Sequence, residues 1–465
     1  MDIEKSKVAL ISGITGQDGS FLAELLLEKG YIVHGIIRMK SELSGERINH
    51  LYKDRHETVN FFLHYGDLTD TSSIEKIVKE TKPDEIYMLG AMSHVRVSFD
   101  IPENTSEIDA LGTLRILEAV RKYNINAKVY FAGTSELFGG IYKKKQNETT
   151  PFYPRSPYAV AKLYSFWMCR NYKEAYNMFI VNGILFNHTS HRRGPTFLEQ
   201  KVVKGAVAIK KNKQECLYLG NIYSYRDLGH AKDYVRGMWM MLQQDKPDDY
   251  VLATGEKVQM KAIVNMSFKK LNIPLVWEGE GVDEIAKIKD TDRIVVRIDP
   301  KYYRPTEVDT LCGDSTKART NLGWKPEYTF KQIISEMISE ELKRYEEPRA
   351  PKKSKKVKKK SQNKEGEQDT QVEHVEQAEH AGHAEHAEHA EHAEHAEHAG
   401  HAEHTEQHTE QHTGQHTGQH TDSIIPSENS LEEQPKVSDE TTPLTQRQLR
   451  RNRKRERQQN ENAIQ

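Results

Sequence analysis

The sequence predicts an α/β protein: a doubly wound parallel sheet, then a smaller α/β substrate domain, then a disordered low-complexity tail. Three observations predict it. Short apolar strands alternate with amphipathic helices through residues 7–175, polar residues follow the strand ends, and the composition changes sharply near residue 348. Beyond that point there are no cysteines and almost no large apolar residues, so no core can form there. We therefore expect domains over 1–185 and 186–348, with 224–255 returning to the first, and a tail over 349–465.

The elements of the first domain follow from apolar periodicity and turn residues. Strands are predicted at 7–12, 32–37, 61–64, 85–89 and 128–132, and helices at 20–29, 71–81, 108–123 and 156–175. Because strands and helices alternate, the strands should be parallel and their carboxyl ends should share one edge of the sheet. Ligands of such sheets bind at that edge.

A glycine-rich turn joins the first strand to the first helix. Gly13, Gly16 and Gly19 have the spacing G-x-x-G-x-x-G. The first glycine permits a tight turn, the second lets the backbone approach a pyrophosphate, and the third allows close packing of helix on strand. The helix N-terminus then offers unpaired N–H groups to the phosphates. The pattern predicts a Rossmann domain that binds a dinucleotide.

The second strand ends at Arg38 instead of at an acidic residue. An acid at this place would bind a ribose 2′-hydroxyl, whereas an arginine suits a 2′-phosphate. The sequence therefore favours NADP over NAD, and a solvated arginine at a strand end is the alternative.

Four residues indicate the chemistry. Tyr158 and Lys162 lie four residues apart on the helix predicted at 156–175, hence on one face, and Thr134 and Glu136 follow the strand that ends at residue 132. A lysine ammonium favours a neighbouring phenolate, so Tyr158 is expected to have a lowered pKa and to accept a hydroxyl proton near neutral pH. Glu136 could then act on an adjacent carbon.

Several longer segments resemble the extended short-chain dehydrogenase/reductases, and more narrowly the GDP-mannose 4,6-dehydratase family, over about residues 7–342. They are GITGQDGS at 13–20, HYGDLTDTSS at 64–73, LGAMSHVRVSF at 89–99, ETTPFYPRSPYAVAKLY at 148–164, NGILFNHTSHRRG at 182–194, YLGNIYSYRDLGHAKDYV at 218–235 and DPKYYRPTEVDTLCGD at 299–314. The substrate comes from this resemblance and not from the spacing of the motifs.

The resemblance implies a dehydration without net redox change that converts GDP-α-D-mannose to GDP-4-keto-6-deoxy-D-mannose, the first step of GDP-fucose biosynthesis. It implies that Tyr158 deprotonates the 4-hydroxyl while hydride passes from C4 to NADP⁺ and later returns to C6. Glu136 would remove the C5 proton and protonate the departing 6-hydroxyl. Thr134 would hydrogen-bond the 4-oxygen, and Lys162 would tune Tyr158 and hold the nicotinamide ribose.

The resemblance also implies which residues bind the two ligands. Those expected to contact NADP are Gly13, Ile14, Thr15, Gly16, Gln17, Asp18, Gly19, Arg38, Asp67, Leu68, Leu89, Gly90, Ala91, Met92, Ser93, Lys162, His188 and Arg193. Those expected near the sugar and the diphosphate are Ser135, Asn187, Arg226, Arg304 and Glu307. Paired arginines suit a diphosphate because guanidinium contacts are bidentate and directional, although a surface ion pair is the alternative for Arg226 and Arg304.

The chain departs from the family pattern in places. The loop after Arg38, residues 39–45, lacks the second arginine and the serine-rich stretch of relatives, in which it reaches the neighbouring subunit. This loop therefore offers less support than in relatives for binding a 2′-phosphate and for the expected homodimer or homotetramer. Gly133, Phe138 and Leu228 replace the family's serine, tyrosine and tryptophan, and none of these changes removes a proton-transfer group.

Two classes of alternative stay open. Sugar 4-epimerases of the same fold lack an acid at position 136, and dehydratases of deoxythymidine-diphosphate sugars place Asp-Glu after the threonine, where this chain has Ser135 and Glu136. The other alternative is an inactive scaffold whose working part is the tail. The complete catalytic set argues against the scaffold.

Composition adds further expectations. The formal net charge of −2 gives no general case for nucleic-acid binding. The three scattered cysteines fit reduced thiols and no metal spacing, and the sequence shows neither a signal peptide nor the roughly 20 apolar residues that span a bilayer. A cytoplasmic protein is expected. In the tail, a lysine run at 352–360 and histidine repeats at 378–420 suggest solvated low-complexity sequence, with weak zinc or nickel binding possible.

Overall fold

Strands and helices alternate along most of the chain. The computed structural model describes residues 6–39, 46–52 and 60–346. Its strands are β1 (Val8–Ser12), β2 (Ile32–Ile37), β3 (Phe61–Tyr65), β4 (Glu85–Met88), β5 (Lys128–Ala132), β6 (Ile180–Leu185), β7 (Asn187–Thr189), β8 (Leu217–Leu219), β9 (Tyr225–His230), β10 (Tyr250–Leu252), β11 (Lys257–Gln259), β12 (Leu275–Glu278), β13 (Ile285–Ile288), β14 (Ile294–Ile298) and β15 (Thr310–Leu311). Its α-helices are α1 (Gln17–Glu28), α2 (Thr71–Thr81), α3 (Val95–Ser98), α4 (Pro102–Ser106), α5 (Gly112–Lys122), α6 (Pro157–Tyr176), α7 (Leu198–Lys210), α8 (Ala231–Leu242), α9 (Met260–Lys270), α10 (Thr316–Leu322) and α11 (Phe330–Glu346).

Seven parallel strands form the largest sheet, in the order β10-β6-β5-β4-β1-β2-β3. The chain runs outward from β1 to β3 and then returns to β4 on the other side of β1. The direction of winding therefore reverses between β1 and β4. A crevice opens at the carboxyl ends of the strands at such a point, and it is the usual ligand site of these sheets.

Helices cover both faces of this sheet, which confirms the doubly wound fold. On one face, Leu22 and Leu26 of α1 and Met238 of α8 belong to one buried cluster. On the other, Ile77 of α2 and Phe166 of α6 belong to a second cluster. Strands such as β4, β6 and β10 are buried along their whole length, so their sequences are largely apolar, whereas the edge strand β3 is partly exposed.

The predicted elements agree closely with the structure. The strands at 32–37 and 128–132 and the helix at 71–81 have the predicted bounds. Helix α6 begins at Pro157, one residue after the predicted start, because Ser156 is its N-cap, where the serine hydroxyl accepts the Ala159 N–H.

The helix predicted at 108–123 differs from the structure. Residues Glu107–Leu111 form a π-helical turn, and α5 starts only at Gly112. Apolar periodicity cannot distinguish one wider turn from a regular helix. In this turn the side chain of Asp109 accepts the Met92 N–H, and its carbonyl accepts the Ser165 hydroxyl.

A second α/β part follows the large sheet along the chain. Strands β12-β13-β14-β8 form one small sheet, and β9 pairs with β7, β11 and β15 in another. Helices α7, α9 and α11 pack together over a third core that includes Leu217, Val296 and Ile333. The smaller α/β part is thus confirmed, and β10 lies in the large sheet. The exact domain boundaries stay a prediction, and the predicted tail over 349–465 lies outside the described residues.

Candidate active site

A cavity of about 1000 Å³ lies at the carboxyl ends of the large sheet, where the winding reverses. It extends from the glycine turn after β1 to the small sheet around β9. All the predicted site residues except Ile14 line it. Ile14 is fully buried, and its side chain packs close to Gly35 of β2, so it belongs to the core under the turn.

The glycine turn is shaped by close backbone approaches. Gly13 has φ +74°, and a Cβ there would lie 2.8 Å from the Gly90 Cα. A Cβ on Gly19 would lie 2.4 Å from the Gly13 carbonyl oxygen. Gly16 begins α1 with no side-chain cap, so no side chain competes for the helix N-terminal N–H groups. These features fit the diphosphate of a dinucleotide.

Asp18 and His188 form a buried pair beside this turn. The Asp18 Oδ2 lies 2.8 Å from the His188 Nε2, and the His188 Nδ1 donates to the Phe186 carbonyl at 2.8 Å. Burial opposes ionisation, but His188, Gln17 and Arg193 together lower the pKa of Asp18. The imidazole also stacks on Tyr234, with ring centroids 4.4 Å apart. His188 therefore links β7 to the start of α1.

One arginine of this end was missed by sequence reasoning. Arg47 lines the cavity, donates from Nη1 to the Thr15 carbonyl at 3.1 Å and donates from Nε to the Arg192 carbonyl at 2.8 Å. It follows the undescribed residues 40–45 and belongs to no local motif. Arg38 is exposed at the end of β2 and lines the same end of the cavity.

The proposed proton-transfer groups lie together in the middle of the cavity. Thr134 caps a 3₁₀ turn over Ser135–Phe138, because its Oγ1 accepts the Glu136 N–H at 3.2 Å. This turn holds Glu136 in place, with 7% of the residue exposed. Tyr158 and Lys162 are buried one turn apart on α6, and the Lys162 Nζ donates to the Ala132 carbonyl at 3.2 Å.

The expected lowering of the Tyr158 pKa is wrong for this arrangement. Burial raises the pKa of Tyr158, and the negative charges of Asp109 and Glu136 raise it further, whereas Thr134 and Arg193 act in the opposite direction. Burial also lowers the pKa of Lys162, against the effect of Asp109. Sequence spacing puts the lysine near the phenol but does not show the burial and the two carboxylates that outweigh it.

Charged side chains from three separate segments meet at the other end of the cavity. Arg226 of β9 is 5% exposed, and Arg304 places Nη1 3.5 Å from the Glu136 Oε1. Burial lowers the pKa of Arg226. The negative charges of Glu136 and Glu307 oppose this effect, and the positive charge of Arg304 adds to it. Glu307 accepts the Arg304 N–H at 2.9 Å, which fixes the loop that carries both.

Two polar atoms of the cavity wall have no partner within the described part of the chain. They are the Oδ1 of Asn187 and the Nε of Arg193, both buried. A buried polar atom without a partner costs about 1–3 kcal/mol, so such atoms in a cavity wall indicate a bound ligand. Both residues were predicted to bind the cofactor or the diphosphate.

Lys201 and Tyr302, which the sequence did not single out, also line the cavity. The Lys201 Nζ lies 3.4 Å from the centre of the Tyr302 ring. Lys201 is on α7 and Tyr302 on a 3₁₀ turn over Pro300–Tyr302, so only the tertiary fold brings them together. An ammonium and an aromatic ring suit a flat, electron-rich ligand group.

Over residues 6–39, 46–52 and 60–346, no group of three or more His, Cys, Asp or Glu residues could hold a metal ion. Within the same ranges, none of the helices combines the length and the apolar character needed to cross a membrane.

A parallel sheet of this strand order, with a Tyr-x-x-x-Lys helix beside a threonine at the end of β5, defines the short-chain dehydrogenase/reductase class. A solved structure of UDP-glucose 4-epimerase from Thermus thermophilus in complex with NAD has the same fold. Its TM-score is 0.59 at 22% identity, and the match covers 72% of this chain and 99% of that one.

Sequence comparison identifies the family. The family profile described as GDP-mannose 4,6 dehydratase matches residues 10–337. The GDP-mannose 4,6-dehydratase of Yersinia enterocolitica is 54% identical over 351 residues, which are 73% of this chain and 94% of the relative. The human GDP-mannose 4,6 dehydratase is 52% identical over 340 residues, which are 72% of this chain and 91% of the relative. The chain therefore belongs to the GDP-mannose 4,6-dehydratase family.

Proposed function

We propose that the protein converts GDP-α-D-mannose to GDP-4-keto-6-deoxy-D-mannose and water, as an NADP-dependent lyase that catalyses the first step of GDP-fucose biosynthesis. The single observation that carries the proposal is the place of Glu136. It lies in the same cavity as Tyr158, Thr134 and Lys162, and the turn that Thr134 caps holds it there. A 4-epimerase only transfers hydride at C4 and needs no acid at this position, whereas a dehydratase needs one to remove the C5 proton.

Tyr158 begins the reaction by taking the proton of the mannose 4-hydroxyl. Thr134 lies within hydrogen-bonding reach of the phenol and orients the same oxygen. The glycine turn Gly13–Gly19 and Lys162 would hold the nicotinamide dinucleotide, which would supply the hydride acceptor for C4 and, once reduced, the hydride donor for C6. Because burial raises the pKa of Tyr158 in the free protein, the phenol keeps its proton until substrate and cofactor complete the site.

Glu136 carries the elimination. The 4-ketone acidifies the C5 hydrogen, Glu136 removes that proton, and the same carboxyl group donates a proton to the departing 6-oxygen, so water leaves across C5–C6. The proton that Tyr158 took from the 4-hydroxyl balances the return of hydride by protonating C5. The nearly complete burial of Glu136 keeps bulk water from the reacting carbons.

The two arginines bind the substrate diphosphate. Arg226 and Arg304 lie within reach of the same carboxylates, Glu136 and Glu307, and supply two guanidinium groups to one region of the cavity. A buried guanidinium is costly unless it is paired, and the diphosphate supplies the missing negative charge. Asn187 and Ser135 line the same cavity, and the unpaired Oδ1 of Asn187 is an acceptor that suits a hydroxyl of the nucleotide sugar and not its diphosphate.

The cofactor is a nicotinamide dinucleotide, and we propose NADP. Arg38 lies exposed at the end of β2 on the cavity rim, where it can bind a 2′-phosphate. The test measures dissociation constants of NADP⁺ and NAD⁺ for the parent and for Arg38→Ser. The variant should lose about 1.5–3 kcal/mol of NADP⁺ binding and keep its NAD⁺ affinity. Equal losses for both cofactors would contradict the assignment.

The activity test uses the full chain with GDP-mannose and catalytic NADP⁺. Mass spectrometry should detect loss of one water molecule from the nucleotide sugar, while the cofactor is neither consumed nor reduced at the end of the reaction. GDP-mannose recovered intact from a folded, cofactor-bound protein would refute the proposed activity.

We further propose a homodimer or a homotetramer. Val160, Tyr164 and Trp167 lie on one face of α6 at helical spacing and are 55%, 38% and 53% exposed. An apolar, aromatic helix face of this kind is typical of an interface between copies. Light scattering should give a multiple of the chain mass for the parent, and Trp167→Glu should lower that mass. A parent protein that is monomeric at micromolar concentration would contradict the proposal.

A further inference from the structure

Two histidines join the edge of the large sheet to its neighbouring strand. His34 of β2 and His64 of β3 place their Nδ1 and Nε2 atoms 2.8 Å apart, and the ring of Phe62 stacks on His34 with centroids 5.0 Å apart. In the described part of the chain, β3 is the last strand of the sheet order and pairs with β2 alone. The histidine pair, His34 and His64, therefore supports a strand that has one hydrogen-bonded neighbour.

The two strands that the histidine pair joins lead directly into the proposed cofactor site. β2 ends one residue before Arg38, and β3 is followed by Gly66 and Asp67. The Gly66 N–H donates to the Ile37 carbonyl at 3.0 Å, so the contact between the two chain segments continues to that point. Arg38 and Asp67 both line the cavity. Their separation is thus set by how β3 lies against β2.

A hydrogen bond between two imidazoles depends on the number of protons that they carry. One of the two facing nitrogens must carry a hydrogen, and the other must not. A pair with one extra proton keeps this bond, since the charged ring donates to the neutral one. A second extra proton puts two N–H groups and two positive charges face to face, so the bond is lost.

We propose that the histidine pair is a positioning element of the cofactor site, which holds Arg38 and Asp67 at the spacing that suits the adenosine half of NADP and releases them when it takes up a second extra proton. This inference rests on the proposed function, because the proposed cofactor is the ligand whose binding the pair affects. Neither histidine lines the cavity, so both act through the ends of β2 and β3.

The groups around the histidine pair decide at which pH the second extra proton enters. On the β1 side, the residue paired with His34 is the apolar Leu10. Burial lowers the pKa of His64, and the charge of Glu80 opposes this effect. Burial and the charge of His64 lower the pKa of His34 to about 4. The bonded pair is therefore complete near neutral pH and is lost as the pH falls towards about 4. The titratable and charged side chains that line a surface pocket with His64 are Tyr65 of β3, Asp70 at the start of α2, and Lys76 and Glu80 of α2.

The first test uses the full chain near neutral pH. His64→Leu removes the bond and leaves the His34 ring without its partner, so the dissociation constant of NADP⁺ should rise by about fivefold, as expected for one lost hydrogen bond. The same rise should appear with adenosine 2′,5′-bisphosphate, which represents the adenosine half of NADP alone. His64→Gln keeps a polar group in place of Nε2 and should return both constants toward the parent values. His50→Gln is the control, because His50 is half-exposed, pairs with Glu24 and does not line the cavity, so both constants should stay unchanged.

The second test uses the pH dependence, which a merely structural role would not change. At about pH 4 half of the free parent protein carries the second extra proton, so its NADP⁺ dissociation constant should rise about twofold relative to His34→Asn/His64→Gln, and further below that pH. The amides of the double variant do not titrate and can bond to each other at every pH. The titration of the 2′-phosphate is common to both proteins and cancels in the ratio. Either single variant replaces the double variant if the latter does not fold, because an amide can donate to or accept from the remaining ring.

Three results would overturn the proposal. A His64→Leu protein that melts at a lower temperature but binds NADP⁺ like the parent would show a structural role only. A loss of NADP⁺ affinity without a loss for adenosine 2′,5′-bisphosphate would place the effect elsewhere in the site. A ratio of parent to variant constants that stays flat in acid would show that protonation of the pair does not release the site. A parent protein that binds no NADP⁺ near neutral pH would instead refute the proposed cofactor site.

Discussion

The two ends of the cavity are built in different ways. The proposed dinucleotide end is built around one continuous turn, Gly13–Gly19, which offers backbone N–H groups and lacks obstructing side chains at its glycines. The proposed sugar-diphosphate end is built from charged side chains of three distant segments, namely Glu136, Arg226 and Arg304. The first end depends on local backbone shape, and the second depends on how the whole fold brings charges together.

This difference has an energetic counterpart. Cβ atoms are excluded at the first end by steric contact, which is a short-range effect that each glycine experiences separately. At the second end the burial of Arg226 is costly, and the carboxylates of Glu136 and Glu307 offset part of that cost. We therefore expect substitutions at the first end to act one by one, and those at the second end to act through their partners.

The largest effect should come from the second end, at Glu136. Glu136→Gln removes the proton acceptor and keeps the shape, so the rate of water loss should fall by about 10²–10⁴-fold. The dissociation constant of NADP⁺ serves as the control and should not change, since the first end is untouched. Dehydration at the parent rate would show that another group removes the C5 proton.

Arg226 should give the next largest effect. Arg226→Met removes one of the two guanidinium groups near Glu136 and Glu307 and a proposed diphosphate ligand, so GDP-mannose binding should weaken by about 2–5 kcal/mol. Calorimetric titration with GDP-mannose measures the loss. Arg226→Lys keeps the charge without the bidentate geometry and should recover only part of the affinity. Full recovery with lysine would show that charge alone matters here.

The glycine turn offers a paired comparison at the first end. Gly19→Ala places a Cβ 2.4 Å from the Gly13 oxygen and should lower the free energy of unfolding by about 1–3 kcal/mol. Gly16 has φ −72°, and its added Cβ would meet only the Gly13 oxygen, at 3.1 Å. Gly16→Ala should therefore fold almost normally and lose NADP⁺ affinity. Urea unfolding and cofactor titration separate the two, and a stable Gly19→Ala would contradict the packing argument.

The smallest effect should come from a cluster of Glu336, His191 and His230, which does not line the cavity. Glu336 of α11 binds the buried His230 at 3.0 Å and His191 at 2.7 Å, and these histidines lower the pKa of Glu336 although burial opposes them. A carboxylate with a lowered pKa stabilises the fold above its ordinary value of 4.5 and loses that contribution as the pH falls through the folded value.

Glu336→Gln should therefore lower the free energy of unfolding by about 1–2 kcal/mol near neutral pH, and the difference from the parent should shrink in acid. Urea unfolding at several pH values measures it. Substrate and cofactor affinities should stay near the parent values. A difference that grows as the pH falls would show that Glu336 is not the stabilising partner.

Most of the large sheet could be predicted from the sequence. The bounds of β2, β5 and α2 agree with the prediction, because burial leaves a largely apolar run in each of the two strands and an apolar stripe, which includes Ile74, Ile77 and Val78, along the helix. The π-helical turn before α5 could not be predicted, since an extra residue in one helical turn leaves almost the same pattern. Strand order also needed the structure, because pairing joins residues far apart in the chain.

The sequence by itself determined the glycine turn, the Tyr158–Lys162 pair and the acid at position 136, because each is set by spacing within one segment. Only the tertiary structure decided the Arg304–Glu136 pair, the contacts of Arg47 and the raised pKa of Tyr158. Burial and charge at one point are sums over groups from every neighbouring element, and no single segment contains that sum.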